Sequence, residues 1–104
     1  MDKNEALIIA EKYIKSINSF YKINQAYLFG SFAKGTNHID SDIDIAIVLG
    51  KVKNKDIFDT QIDLMKLRRN VDIRIEPHPI FKKDFNVNNP IFNEILLNGI
   101  DIKN

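Results

Sequence analysis

The segment Ser41-Asp42-Ile43-Asp44-Ile45-Ala46-Ile47-Val48-Leu49-Gly50 constrains the chain more than any other. Side chains two apart on a strand share a face. Ile43, Ile45, Ile47 and Leu49 therefore form an apolar face, and Asp42, Asp44, Ala46 and Val48 form the other. Such a strand needs a core on its isoleucine side and must explain two carboxylates on its opposite side. The remaining elements must supply that core.

From Asn4 to Tyr21, Leu7, Ala10, Ile14, Ile17 and Tyr21 recur at steps of three and four, the stripe of an amphipathic helix. Ala26 to Phe29 reads as a short strand ended by Gly30, and Phe32 to Asp40 as a loop. Lys55 to Arg69 reads as a second helix, with Asn54 as N-cap and Ile57, Ile62 and Met65 inward. Val71 to Glu76 alternates strictly and is expected to stop at Pro77 and Pro79. Asn89-Pro90 opens a last helix that Gly99 ends. The order α-β-β-α-β-α predicts an α/β (α+β) fold, a small mixed sheet with its helices packed on one face. A chain of 104 residues predicts a single domain, 1–104.

Composition narrows the function classes. Fifteen basic and 14 acidic residues leave a net charge of +1, too little for a global field that would hold DNA or RNA. The short basic stretch Lys51, Lys53, Lys55 reads as a solvated loop, so direct nucleic-acid binding is not expected. The absence of cysteine excludes disulfides, thiolate metal sites and thiol nucleophiles, and suits a cytoplasmic location. No apolar run has the length of a membrane span, so no membrane association is expected.

On the third predicted strand, Asp72, Arg74 and Glu76 share a face. If that strand neighbours the second, Asp42, Asp44 and Asp72 converge. Converging carboxylates repel one another, and a divalent cation relieves the repulsion. Mg²⁺ suits one or two carboxylates completed by substrate phosphates, and a pair of such ions can clamp both oxygens of a phosphoryl displacement. Against this stands the plainer reading of a solvated acidic strand face. Gly30-Ser31 supplies a complementary half: glycine admits close backbone approach, and serine with backbone N–H groups can cradle phosphate. Asp40 and His38 read as polar loop residues, and His78, between two prolines, as a turn residue.

Gly30-Ser31, ten intervening residues, Asp42-Ile43-Asp44 in a strand and Asp72 on a later strand resemble the nucleotidyltransferase fold of the DNA polymerase beta superfamily. "GSFAKG" followed by "SDIDIAIVL" resembles its minimal nucleotidyltransferase (MNT) group. The resemblance implies that Gly30 and Ser31 bind a nucleoside triphosphate, ATP by default. It implies that Asp42 and Asp44 hold Mg²⁺, two ions when nucleotide is bound, and that Asp72 completes the site and helps activate an acceptor hydroxyl. Lys34 stands where many relatives have arginine; it offers phosphate a point charge without a bidentate fork, or is a solvated lysine. Arg74 either touches substrate or balances Asp72 and Glu76.

Minimal members resemble one half of a toxin–antitoxin pair, partnered by a small helical HEPN protein whose tyrosine receives adenylate. The implied activity is transfer of AMP from ATP to that hydroxyl. The alternative is a binding module that neutralises or scaffolds such a partner with little or no catalysis. Self-association is left open by both.

Overall fold

The structure, a computed structural model, describes residues 1–103. Helix α1 (Lys3–Ile17) begins where the Asp2 carboxylate accepts the Glu5 N–H at 2.9 Å. Strand β1 (Ile23–Phe29) leads through Gly30 into a one-turn helix, α2 (Ser31–Lys34). Strand β2 (Ile43–Leu49) is followed by α3 (Ile57–Leu67), β3 (Ile75–Phe81), α4 (Pro90–Asn98) and a two-residue β4 (Ile100–Asp101). The sheet order is β3-β2-β1-β4, with β2 parallel to β3 and antiparallel to β1, and β4 antiparallel to β1. The mixed α/β class expected from the sequence is the class observed. No helix among the described residues is long and apolar enough to cross a membrane.

The main core lies on the isoleucine face. Ile43, Ile45, Ile47 and Leu49 pack there with Ala26 and Leu28 of β1, Ile75 of β3, and Ala6, Ala10, Tyr13, Ile14 and Ile17 of α1. Helix α3 contributes Leu64, fully buried like its neighbour Thr60. Ile62, expected inward, is instead 52% exposed, because the buried stripe of α3 runs through Thr60 and Leu64. Its N-cap is Asp56, which accepts the Asp59 N–H, and not Asn54.

Two further expectations are corrected. First, of the three predicted helices only two, α1 and α3, cover the isoleucine face, joined there by Phe32 of the one-turn α2. Helix α4 packs on the other side, where Ile91 and Ile95 meet Phe29, Ala46 and Ile80. Ala46 and Val48 share the face of Asp44 but are apolar, so that face is solvated only at one end and needs a cover at the other. Second, β3 runs from 75 to 81 and passes through both prolines. This is allowed because β3 is an edge strand, where residues facing away from the neighbour need no ladder donor. The Ile75 and Pro77 carbonyls are instead met by side chains of the preceding helical segment: Arg68 donates to the first at 2.8 Å and Gln61 to the second at 2.7 Å. The edge is thereby closed to a further strand.

The Tyr13 hydroxyl donates to the Leu64 carbonyl at 2.7 Å and ties α1 to α3. Burial is the main reason its phenol is held well above the ordinary tyrosine range, with the nearby Tyr21 adding to the effect. A raised folded-state pKa gives stability that is complete below the unfolded value, about 10, and lost as pH rises beyond it. Denaturant midpoints should therefore hold to about pH 9 and fall steeply above pH 10. Tyr13→Phe should lose about 1 kcal/mol at neutral pH and most of the alkaline fall, leaving the smaller contributions of Tyr21 and Tyr27.

Candidate active site

The strand register builds one rim of the sheet from Phe29, Asp44 and Glu76, which lie side by side on β1, β2 and β3. Gly30 follows Phe29 directly. Its φ of 78° and ψ of −152° lie in a region open in practice only to glycine. A Cβ there would sit 3.1 Å from the Asp44 Cγ and closer still to Oδ2. Gly30 thus has two causes at once: the chain must turn from strand to helix, and the Asp44 carboxylate lies against its backbone. Ser31 opens α2, whose single turn is closed when the Ser31 carbonyl accepts the N–H groups of Gly35 and Thr36.

Asp44 is held from the other side by His78. The His78 Nε2 lies 3.1 Å from Asp44 Oδ1. A carboxylate only accepts, so the proton belongs on Nε2 for this contact to be a hydrogen bond. The Phe29 ring meets the imidazole edge to face, with centroids 5.0 Å apart. Asp44 therefore has Oδ1 on His78 and Oδ2 towards Gly30, with its side chain 26% exposed.

Asp42 stands just before β2 and is exposed. A compact turn positions it: the buried Ser41 hydroxyl accepts the His38 N–H at 2.8 Å, and the Ser41 N–H donates to the His38 carbonyl at 3.0 Å. The Asp40 N–H donates to the His38 imidazole at 3.3 Å. His38 and Asp40 are accordingly loop-forming residues, as their sequence context suggested.

Asp72 is not brought to this rim. It lies in the turn before β3, and its carboxylate is taken by one residue: Oδ1 accepts the Arg74 backbone N–H and Nε, each at 2.9 Å, and Oδ2 accepts an outer guanidinium nitrogen at 2.7 Å. The Arg74 guanidinium holds its carboxyl below the usual aspartate range. The Arg74 carbonyl then accepts the Ile43 N–H at 2.9 Å, stitching this clamp to the first residue of β2. Arg74 balances Asp72, and together they fix the register that puts Glu76 opposite Asp44. Among the described residues, no three acidic or histidine side chains converge into a metal-holding group.

Lys34 likewise has a partner. Its ammonium lies 3.0 Å from Glu94 of α4. Glu76 has a distant one, the Arg68 guanidinium at 3.9 Å, and its side chain is 37% exposed. Glu76 and His78 are the residues that sequence reasoning left out of the site. Arg74, Glu76 and His78 alternate in the sequence, but a strand that stops at Pro77 excludes His78 and makes Glu76 its last residue.

A Gly-Ser strand-to-helix turn pressed against a carboxylate strand, with a parallel acidic neighbour, defines an α/β domain of the nucleotidyltransferase class. The chain belongs to the polymerase beta nucleotidyltransferase family, whose model matches residues 11–102.

Solved structures share the fold. A Sulfolobus solfataricus protein to which a nucleotidyltransferase role is ascribed superposes with a TM-score of 0.66 at 19% identity, over 95% of this chain and 80% of that one. A toxin–antitoxin structure with AMP-PNP gives 0.61 at 21% identity, over 99% and 73%. A tyrosine-to-alanine mutant of the toxin–antitoxin pair MntA–HpeT gives 0.63 at 24% identity, over 90% and 71%. No curated protein matches the sequence.

Proposed function

We propose that the chain is a Mg²⁺-dependent nucleotidyltransferase that moves AMP from ATP to a hydroxyl of a bound protein, and that it serves as the antitoxin of a pair. The observation that carries this reading is the Asp44 carboxylate lodged against Gly30 beside the Gly30-Ser31 turn. Membership of the family supports the reaction class, and the fold shared with the antitoxin-containing structures supports the setting. A tyrosine of a small helical HEPN toxin is the acceptor this setting favours.

The donor set fits Mg²⁺. Asp42, Asp44 and Glu76 offer only hard carboxylate oxygens, and Mg²⁺ accepts one or two such ligands with substrate phosphates completing its shell. Asp42 and Asp44 would hold it, with Glu76 taking the third-carboxylate role that the sequence had assigned to Asp72. When bound, Mg²⁺ neutralises phosphate charge and sharpens the electrophilicity of the α-phosphorus. The chain's own residues do the rest. The Gly30-Ser31 turn seats the triphosphate, and His78 keeps Asp44 from swinging away. Lys34 can exchange Glu94 for a phosphate oxygen. The acceptor oxygen bonds to the α-phosphorus, the bond to the bridging oxygen breaks, and pyrophosphate leaves. The hydroxyl proton would pass to Glu76, the carboxylate paired with Asp44 across β2 and β3. Positioning and charge account for the acceleration, without a covalent enzyme intermediate.

Glu76→Gln should lower transfer about a hundredfold. Asp72→Asn should leave transfer within a few-fold and show its effect in stability. A low folded-state pKa contributes stability above the ordinary aspartate value, which is lost as pH falls through the folded one. Asp72→Asn should therefore flatten the acid side of the stability profile. The reverse ranking of the two variants in a single-turnover assay would restore Asp72 to the site.

The alternative is a weakly active binding module, consistent with three carboxylates that are not preassembled into one group among the described residues. The experiment that separates the two is incubation with the co-purified partner, ATP and Mg²⁺, read by intact mass. Gain of one adenylate on the partner, dependent on Asp42 and Asp44, supports the enzyme. An unmodified but neutralised partner supports the module.

A further inference from the structure

The opposite rim of the sheet is set by Ile23, Leu49 and Phe81, side by side on β1, β2 and β3. Four separate stretches of sequence meet there: the Phe20-Tyr21 turn, the Lys51 to Lys55 loop, the end of α3 with Asp63 and Lys66, and Phe81-Lys82-Lys83. They form two clefts that share Lys55. One, of about 330 Å³, is lined by Phe20, Tyr21 and Lys66, and the other, of about 370 Å³, by Lys51, Phe81, Lys82 and Lys83.

Five lysines thus face two carboxylates, Asp56 and Asp63, on a chain whose total charge is only +1. Both carboxylates are committed. Asp63 pairs with Lys55, and Asp56 caps α3. Lys51, Lys66, Lys82 and Lys83 make no ion pair among the described residues.

Aromatic rings are interleaved with these cations. Phe20 is 67% exposed and adds nothing to either core, and the Lys55 ammonium lies 5.5 Å from the Tyr21 ring centroid. Lysines that track phosphates beside aromatic faces that accept bases are the elements of a single-strand groove. An acidic protein surface would use the lysines but leave Phe20 without a role.

We propose that this rim binds single-stranded nucleic acid, with Lys51, Lys66, Lys82 and Lys83 on phosphates and Phe20 stacked on a base. The proposal departs from the expectation of no direct nucleic-acid binding for a physical reason. The lysines are dispersed along the chain, and only the shared ends of β2 and β3 and the start of β1 bring them together. The groove lies at the other end of the strands from Asp44, so it works independently of nucleotide transfer.

The test is fluorescence anisotropy of labelled single strands of roughly ten nucleotides, RNA and DNA, across about 50 to 200 mM salt. Wild type should bind saturably at low salt. Lys82→Ala/Lys83→Ala should weaken binding about tenfold and reduce the log–log salt slope by about 1.4, two phosphate contacts on a single strand. Phe20→Ala should weaken it at least about fivefold with the slope unchanged. Asp42→Asn/Asp44→Asn should bind as wild type does. All three sets alter exposed or half-exposed side chains, and unchanged thermal unfolding would confirm their folding. Absence of saturable binding at low salt would overturn the proposal. So would loss in the aspartate variant, which would place the strand at the nucleotide rim. Polyglutamate competing as well as the strand, with Phe20→Ala silent, would assign the rim to an acidic protein surface and overturn it too.

Discussion

Asp44→Asn should abolish measurable transfer, a loss of at least about a hundredfold, while the folded state keeps its stability within about 1 kcal/mol. The asymmetry follows from what each atom of the side chain does. Asparagine has the same shape, so it can lie against Gly30 without a new clash. Its amide oxygen can still accept from His78 Nε2, so the contact at 3.1 Å survives in kind. What disappears is the negative charge, on which Mg²⁺ coordination depends. Asp42→Asn should act in the same direction, with even less effect on folding because Asp42 is exposed. Transfer assays beside urea titrations check both halves. Substantial instability in Asp44→Asn would indicate that the carboxylate is part of the fold's support, and undiminished transfer would remove it from the chemistry.

Gly30→Ala is expected to damage the fold and the site together. Two effects add. The backbone at φ 78°, ψ −152° costs a non-glycine residue about 1–3 kcal/mol. The new Cβ also enters the space of the Asp44 carboxylate, so Asp44 must leave its place between Gly30 and His78. Stability and nucleotide binding should therefore fall together. A double-mutant cycle with Asp44→Ala separates the effects. With the carboxylate gone, the clash largely disappears and mainly backbone strain remains, so Gly30→Ala should cost less in that background. An equal cost in both backgrounds would mean that the two residues are not coupled.

The legible parts of this molecule were those where local rules and tertiary packing agree. The alternation from Asp42 to Leu49 gave β2 its faces. Gly30 marked the end of β1, although the one helical turn that follows it lies where a loop was expected. Asn89, Pro90 and Gly99 bracketed α4 at the residues where its cap and its end are found. The Asn89 carboxamide accepts the Ile91 N–H at 2.9 Å, a local bond that sequence alone can suggest.

What was misread depends on neighbours. Pro77 and Pro79 terminate most strands, but here they sit on an edge whose outward carbonyls are met by Gln61 and Arg68, and those partners come from another element. Placing β3 at 71–76 in place of Ile75–Phe81 put Asp72 on the strand beside Glu76 and left His78 beyond its end. The side taken by α4 was written in Ala46 and Val48, two apolar residues on the acid-bearing face, which require a cover of their own. The basic rim depends on neighbours in the same way, since Lys51 and Lys55, Lys66, and Lys82-Lys83 come from three separate parts of the sequence.

The measurement that bears most directly on the account is calorimetric titration of ATP into the protein with and without Mg²⁺, on wild type and on Asp42→Asn/Asp44→Asn. Wild type should bind saturably in a manner that requires Mg²⁺, and the variant should lose that binding while its thermal unfolding stays close to that of wild type. Binding of equal affinity in the variant, or binding indifferent to Mg²⁺, would contradict the assignment of the Gly30–Asp44 rim as a nucleotide–metal site.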